Sequence, residues 1–254
     1  MRDPVCNREL DPRKAAAMAE FKGYAYYFCS NGCRQTFVAR PEQYQGKVPA
    51  MRLTVGVMGS AAGDHSAVVQ KQVRTLGQAI GQRGLILITG ACPGLPYECA
   101  KGVRETGGGS VGISPALSLD EHVHKYHSPT DVFDVLIYTG SGLMGREVTN
   151  IRSSDMVVIV GGRSGTLGEF AIAYDEGKLI GVLQDSGGIT GEIPHIVASF
   201  GGKNTGARVI YEADPVQLVA QLVAAYVEHH YRRPSCFCNE AAAVDEGNGV
   251  SSSA

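Results

Sequence analysis

A glycine-rich turn in the second half of the sequence has the composition of an anion-binding site. The turn reads GGRSGT over residues 161–166 and lies between an apolar run and a helical pattern. Its glycines let backbone N–H groups approach an anion closely, and a helix N-terminus adds about half a positive charge. These residues predict a site that binds a phosphate-bearing ligand.

Two more apolar runs end in glycine turns, one around residues 59–63 and one around residues 89–94. Hydroxyl groups in the turns can donate hydrogen bonds to the same anion. The simpler alternative is that these are only tight connections between strands and helices. The residues predicted to bind the phosphate or nucleotide are Gly59, Ser60, Gly63, Gly90, Gly94, Gly161, Gly162, Ser164, Gly165 and Thr166.

Three cysteines near the N-terminus have the spacing of a metal site. Cys29 and Cys33 stand on one predicted turn, and a hairpin would bring Cys6 to them. Three thiolates suit Zn(II) with a fourth ligand or a trigonal Cu(I) site. The alternative is three reduced cysteines in a small β-rich fold. Candidates for the fourth ligand are Asp3, Cys236 and Cys238.

The elements that must position these groups alternate between strands and helices. Continuous apolar strands with helices between them predict a doubly wound, mostly parallel α/β sheet of the Rossmann type, with about seven strands. Ligands bind such sheets beyond the carboxyl ends of the strands, where the glycine turns lie. Strands are predicted at 53–59, 85–89, 110–114, 132–140, 156–162, 179–183 and 207–211. Helices are predicted at 64–83, 97–105, 143–153, 166–177 and 214–231.

Composition divides the chain of 254 residues into a cysteine-containing module at 1–48, a Rossmann-like domain at 51–232 and a tail at 233–254 that we expect to be disordered. The formal net charge of −2 predicts that nucleic acid is not a partner. The sequence shows neither a membrane span nor a signal peptide, which predicts a cytoplasmic protein with reduced thiols.

Five further histidines and cysteines are predicted to have ordinary structural environments. The histidines alternate with polar residues and are expected to be solvated, and the two cysteines are expected to pack as small apolar groups. They are His122, His124, His127, Cys92 and Cys99.

Residues 52–183 resemble the family named after the plant lonely-guy protein. Members of this family are phosphoribohydrolases that release cytokinin bases. The superfamily also includes molybdenum-cofactor carrier proteins. The resemblance rests on the segments VGVMGSAAG, LITGACPGL, GREVTNIRSSD and VGGRSGTLGEF. It implies that Arg146 and Glu169 are catalytic and that the protein is a homodimer. It also implies hydrolysis of purine nucleoside 5′-monophosphates to base and ribose 5-phosphate, without a cofactor.

The motif departs from the hydrolase pattern at three places. Val160 replaces a proline, and Gly168 replaces an acidic residue. Between the glycine pair and the Gly-Thr pair, the hydrolase pattern has one residue where this chain has two, Arg163 and Ser164. These departures count against cytokinin specificity, and carrier-type members align here without a gap. The alternative is therefore a non-catalytic carrier of a nucleotide or a molybdenum-type cofactor, joined to a metal-binding module.

The N-terminal module is similar to the YHS domain and the related TRASH domain. The similarity spans residues 3–46 and rests on DPVCNREL, GYAYYFCSNGC, a following Phe and P-x-x-Y. It implies metal binding by Cys6, Cys29 and Cys33, since these modules often accompany proteins that handle heavy metals. A metal ion that joins three cysteines would stabilise a module of under 50 residues, which is too small to bury a large core.

Overall fold

The N-terminal module is a small antiparallel sheet with one helix packed on it. The computed structural model describes residues 1–61, 63–202 and 204–232. The strand order is β1-β2-β3. The elements are β1 (Ala17–Phe21), β2 (Tyr24–Phe28), helix α1 (Asn31–Ala39) and β3 (Met51–Arg52).

Local sequence explains how this module forms. Lys22 and Gly23 both have positive φ, which a two-residue hairpin turn between β1 and β2 requires. The side chain of Ser30 caps α1 by accepting a hydrogen bond from the backbone N–H of Cys33 at 3.2 Å. Phe37 of α1 is 1% exposed and packs on the hairpin, so an aromatic core holds the cysteine-bearing segments in place.

The main domain is a seven-stranded sheet in which every neighbouring pair is parallel, in the order β10-β9-β8-β4-β5-β6-β7. The chain proceeds outwards from β4 in one direction and then crosses back to β8 to proceed in the other. A topological switch point therefore lies between β4 and β8, where a crevice opens. The strands are β4 (Thr54–Gly59), β5 (Ile86–Thr89), β6 (Gly109–Ser114), β7 (Val135–Tyr138), β8 (Met156–Val160), β9 (Leu179–Leu183) and β10 (Arg208–Glu212).

Helices cover both faces of this sheet. The buried side chains of β8 alternate between two core clusters, as period-two packing requires: Val158 belongs to the cluster under α2, α3 and α8, and Val157 to the cluster under α5, α6 and α7. The helices are α2 (Ala67–Gln82), α3 (Leu95–Glu105), α4 (Leu119–His124), α5 (Gly142–Arg152), α6 (Ser164–Asp175), α7 (Ile193–Ser199) and α8 (Pro215–Glu228).

The module packs against the amino-terminal end of the main sheet. Strand β3 leads directly into β4, and Tyr231 donates a hydrogen bond from its hydroxyl to the carbonyl oxygen of Ala15 at 3.3 Å. Tyr27 of the module stacks edge-on against Tyr231 at 6.0 Å between ring centroids. Strand β2 runs antiparallel to β3 and therefore away from the main sheet, which leaves Cys29 at the far end of the module.

The predicted architecture is confirmed: the sheet is parallel, it has seven strands, and helices lie on both faces. The fourth strand is shorter than predicted, and α7 was not predicted. In the described part of the chain, no helix combines the length and the apolar character that crossing a bilayer requires. The tail at 233–254, with Cys236 and Cys238, lies outside the described residues.

Candidate functional site

A cavity of about 260 Å³ opens at the switch point between β4 and β8, and we call it the switch-point cleft. Its walls come from the turns after β4, β5 and β8, from the start of α5 and from the first turns of α6. Six residues of the predicted anion site line it, namely Gly59, Ser60, Gly90, Ser164, Gly165 and Thr166. Glycine is required at residue 59 because a Cβ there would overlap the carbonyl oxygen of Val160.

The start of α6 offers the cleft uncapped backbone donors. Arg163 is the N-cap residue, and no side chain accepts a hydrogen bond from the first turn of the helix. The N–H groups of Ser164, Gly165 and Thr166 have no partner within the helix, because each would need the carbonyl oxygen four residues earlier, which lies before the helix begins. A 12-residue helix with a free first turn therefore points its positive end into the cleft.

Arg146 is the buried cation of the switch-point cleft. Its side chain is on α5, is 7% exposed and donates a hydrogen bond from a terminal guanidinium nitrogen to the carbonyl oxygen of Gly90. Among the described residues, its Nε has no hydrogen-bond partner. A Cβ on Gly90 would overlap the guanidinium, so the glycine makes room for the arginine. The guanidinium is therefore held in place with donor capacity to spare.

Glu169 lies across the same cleft, 7% exposed, and makes no hydrogen bond or ion pair with any residue the structure describes. Burial raises the pKa of Glu169 to about 7, Arg146 opposes this rise, and Glu147 adds to it. The sequence-based expectation that Arg146 holds Glu169 ionised is thus incomplete, because burial outweighs the arginine. An Arg–Glu salt bridge that only orders the site is also absent here, since Arg146 is bonded to Gly90 instead.

A second cavity of about 370 Å³ adjoins the switch-point cleft, and the two share Ser60 and Arg163 in their walls. We call it the adjoining cavity. Three residues of the predicted anion site, Gly63, Gly161 and Gly162, line it instead of the cleft. Gly94 lines neither cavity; it packs beneath Ser60, where a Cβ would overlap the serine carbonyl oxygen.

The three N-terminal cysteines converge as predicted. The Sγ atoms of Cys6 and Cys29 are 3.5 Å apart, and those of Cys29 and Cys33 are 3.8 Å apart. With a carboxylate oxygen of Asp3, the potential ligand atoms all lie within 4.8 Å of one another. Thiolates and a carboxylate at these separations have the donor set and the spacing of a site for a thiophilic metal ion.

Asp3 organises the cysteine site. It is fully buried, and its carboxylate accepts hydrogen bonds from the backbone N–H groups of Val5 at 2.8 Å and Cys29 at 2.9 Å, and from Cys6 at 3.3 Å. Burial alone would raise the pKa of Asp3, but these hydrogen bonds outweigh it and lower the pKa. An ionised carboxylate therefore ties the Cys6 hairpin to the start of the Cys29 turn.

Comparison with known proteins identifies the main domain. A model of the SLOG cluster4 family matches residues 52–219. The chain belongs to the SLOG cluster4 family. A model of the YHS domain matches residues 1–48, so both resemblances noted in the sequence are confirmed.

Individual relatives agree with this assignment. The chain is 33% identical over 132 residues to an uncharacterized protein of Archaeoglobus fulgidus. The matched segment covers 52% of this chain and 80% of the relative. The structure is similar to that of the molybdenum cofactor carrier protein from Chlamydomonas reinhardtii, with a TM-score of 0.55 and 29% identity over 68% of this chain and 99% of that one. A segment of 44 residues is 41% identical to part of a copper-transporting P-type ATPase of Rhizobium leguminosarum. This segment covers 17% of this chain and 5% of the ATPase.

Two residues of the SLOG domain escaped the sequence analysis. Glu147 lines the switch-point cleft and directly follows Arg146 in the sequence. Its position next to a predicted site residue is the signal from which it could have been predicted. Cys92, expected only to pack, is half-buried and lines the same cleft. Burial raises the pKa of this thiol, with Arg146 opposing the rise, so Cys92 contributes a neutral group.

The expectation that the three histidines are solvated is wrong for His122. Its ring is fully buried, with Nδ1 2.8 Å from the hydroxyl oxygen of Ser114 and Nε2 3.1 Å from the carbonyl oxygen of Pro129. The side chain ties α4 to the end of β6, because one ring can bridge two loop segments. His124 and His127 are exposed, and Cys99 is buried as expected.

Proposed function

We propose that the switch-point cleft binds a nucleoside 5′-monophosphate and hydrolyses its N-glycosidic bond, giving the base and ribose 5-phosphate. The phosphate lies on the free N–H groups of Ser164, Gly165 and Thr166, with the positive end of α6 behind it. Purine is the expected base. Arg146 binds the phosphate or the ribose hydroxyl groups through its unused donors.

The observation that carries this proposal is the separation of two buried opposite charges. Arg146 and Glu169 are each 7% exposed and line one cleft, yet they are not paired with each other. Leaving a buried carboxyl without a hydrogen bond costs about 1–3 kcal/mol, which a protein tolerates where a ligand completes the site. A nucleotide placed between them would satisfy both groups.

Glu169 supplies the carboxyl group that N-glycosidic hydrolysis requires. As the bond between C1′ and the base breaks, positive charge develops on the ribose, and a nearby carboxylate stabilises it. The same group can position or deprotonate the attacking water. The turns after β4 and β5 bring Gly59 and Gly90 into the opposite wall of the cleft.

Chromatographic detection of free base tests the hydrolase. We expect wild-type protein to release base slowly from a panel of nucleoside 5′-monophosphates, with and without added zinc or copper. Glu169→Gln keeps the shape and removes the charge, so turnover should fall by roughly two orders of magnitude while nucleotide binding remains measurable. If wild-type protein binds nucleotide but releases no more base than Glu169→Gln, the hydrolase proposal is wrong.

A second candidate, a non-catalytic carrier of a nucleotide-like cofactor, is favoured by one specific observation. The adjoining cavity extends the switch-point cleft by about 370 Å³ across Ser60 and Arg163, which leaves room for a ligand larger than a nucleoside monophosphate. The similarity to the molybdenum cofactor carrier protein agrees with a larger ligand. Binding without base release would support this function instead.

We also propose that the YHS domain binds one thiophilic metal ion through Cys6, Cys29 and Cys33. Because two backbone N–H groups already hold one Asp3 oxygen and a third holds the other, we assign Asp3 mainly to orienting the cysteines. Three thiolates without a committed fourth ligand favour Cu(I), with Zn(II) as the alternative. Reduced thiols of this kind require a reducing compartment such as the cytoplasm.

Elemental analysis after anaerobic loading tests the metal proposal. We expect about one metal ion per chain in wild-type protein and a small fraction of that in Cys29→Ser, because Cys29 lies between the other two thiols. Cys92→Ser, which removes a thiol of the switch-point cleft, is the matched control and should keep the full stoichiometry. Wild-type protein that holds neither copper nor zinc would exclude the site.

A further inference from the structure

Glu147 is a second carboxylate in the switch-point cleft. It follows Arg146 on α5, is half-buried, and makes no hydrogen bond or ion pair with the residues the structure describes. Its Oε1 lies 3.8 Å from the point where a Cβ on Gly165 would stand, and its Oε2 lies 3.6 Å from that point on Gly168. The carboxylate therefore rests on the side-chain-free surface of the first turns of α6.

The charges around this pair are unbalanced. The groups that face Glu147 and Glu169 are the guanidinium of Arg146 on α5, the neutral thiol of Cys92 after β5, and the exposed Arg163 before α6. Two ionised carboxylates thus outweigh the single buried cation. A phosphate dianion at the start of α6 would add two negative charges beside Glu147, and repulsion between like charges in a partly dry site is strong.

Protonation of the carboxyl groups is the direct way to remove this repulsion. We propose that Glu147 is a positioning residue that favours the protonated form of Glu169, so that binding of a nucleotide phosphate, which adds negative charge beside both carboxyl groups, takes up a proton at this pair. This inference rests on the proposed binding of a nucleoside monophosphate in the cleft. Burial raises the pKa of Glu147, with Arg146 opposing, and Glu147 in turn adds to the raised pKa of Glu169.

The bound proton has a use in the proposed hydrolysis. As the bond between C1′ and the base nitrogen breaks, its electron pair stays on the base, and the Glu169 carboxyl transfers its proton to the base. Water then adds to C1′ and gives a proton to the Glu169 carboxylate, which restores the acid. The net reaction consumes one water and needs no other reactant. Glu147 does not touch the reacting atoms; it sets the protonation state of the residue that does.

Calorimetric titration with adenosine 5′-monophosphate in two buffers of different ionisation enthalpy counts the protons taken up on binding. At about pH 8 the free phosphate is already a dianion, so it contributes little. We expect wild-type protein to take up roughly half a proton per nucleotide, and Glu147→Gln to take up less than about one third of that amount. Glu147→Asp, which restores the charge, should recover most of the uptake. Glu42→Gln removes an exposed carboxylate from the YHS domain and should behave as wild type.

The pH profile of base release gives a second readout. In wild-type protein activity should fall as Glu169 loses its proton near its pKa of about 7. In Glu147→Gln this fall should shift towards lower pH, by up to about one unit, because the neighbouring negative charge is gone. Equal proton uptake in wild-type protein and Glu147→Gln, or no uptake at all on binding, would overturn the role of Glu147.

Failure of this inference is distinguishable from failure of the proposed function. Proton uptake on binding without release of base would contradict the hydrolase but keep the role of Glu147. Release of base with no proton uptake would contradict the role of Glu147 alone. Absence of adenosine 5′-monophosphate binding would overturn both.

Discussion

Burial determines the charge state of Glu169 more than any single neighbour does. The carboxyl group has lost its water without gaining a hydrogen bond, and its pKa is raised from 4.5 to about 7. Arg146 lies in the same cleft, but its hydrogen bond goes to the carbonyl oxygen of Gly90. A residue in this condition destabilises the folded chain at neutral pH and is suited to exchange a proton with a ligand.

Glu169→Gln should therefore stabilise the protein at alkaline pH. The folded state binds the Glu169 proton more tightly than the unfolded state, so this contribution to stability is full below about pH 4.5 and is lost as pH rises through about 7. At about pH 8 we expect the free energy of unfolding of Glu169→Gln to exceed that of wild type by about 1–3 kcal/mol, with a much smaller difference at about pH 5. Urea unfolding at both pH values measures this difference. A variant that is less stable than wild type at pH 8 would show that Glu169 has an ionic partner.

The start of α6 is the element on which the proposed anion site depends. Four of the eight α-helices in the described residues have a capping side chain at their N-terminus, for example Ser66 before α2 and Asp214 before α8. Helix α6 has none, and Gly161 and Gly162 before it adopt positive φ. The free first turn and the glycine turn together leave the donors open to the cleft.

An exposed apolar surface lies at the opposite edge from β10. Met144 and Leu143 at the start of α5 are 80% and 56% exposed, and Val135 of the edge strand β7 is 50% exposed. The backbone N–H of Gly140 donates to the carbonyl oxygen of Ala116, and that of Gly142 donates to the carbonyl oxygen of Pro115. These bonds hold Leu117, which is 75% exposed, beside this surface. Monomeric proteins seldom expose a patch of this kind, and edge strands need cover.

We expect this surface to form a homodimer. Light scattering at micromolar concentration should give about twice the chain mass for wild-type protein. Met144→Glu places a charge in the interface and should shift the protein to monomer. Val68→Glu, at a similarly exposed apolar side chain on α2, is the matched control and should stay dimeric. Wild-type protein with a monomer mass would contradict the prediction.

Sequence patterns predicted elements well where the hydrophobic period was unbroken. The strand at 179–183 has the predicted bounds, and the β8 strand begins where the apolar run begins, because buried parallel strands are continuously apolar. Helix α7 was not predicted, since seven residues with Pro194 in the first turn are too few to show a helical period. The strand at β7 is shorter than its apolar run because Val132 packs in the core before pairing begins.

The candidate site was predictable only in part. Turn glycines are local signals that the sequence shows directly, and Arg146 and Glu169 were indicated by the resemblance to the lonely-guy family. The role of Glu147 depends on how α5 packs against α6, which no local pattern records. His122 escaped for the same reason: its partners, Ser114 and Pro129, are close only after the loop around α4 folds back on β6.

At the scale of the whole molecule, the two candidate sites lie at opposite ends. The switch-point cleft is at the carboxyl ends of β4 and β8, whereas the YHS domain packs at the amino end, where Tyr226 donates a hydrogen bond to Asp155 at 3.1 Å. The cysteines are at the far end of β2, which runs away from the sheet. A metal ion held there is not within reach of a ligand in the cleft, so the proposed hydrolysis is carried by the SLOG domain's own residues.

The most direct test of the central claim compares the affinities of adenosine 5′-monophosphate and adenosine by calorimetry. A phosphate held by the start of α6 and by Arg146 should make the monophosphate bind at least about 10-fold more tightly than the nucleoside, since one charge-assisted contact contributes about 1.5–3 kcal/mol. In Gly90→Ala the new methyl group displaces the guanidinium, and most of this preference should disappear. Gly191→Ala, where a Cβ meets nothing within 4 Å, is the control and should keep it. Equal affinities for both compounds in wild-type protein would contradict the claim that the switch-point cleft is a nucleotide phosphate site.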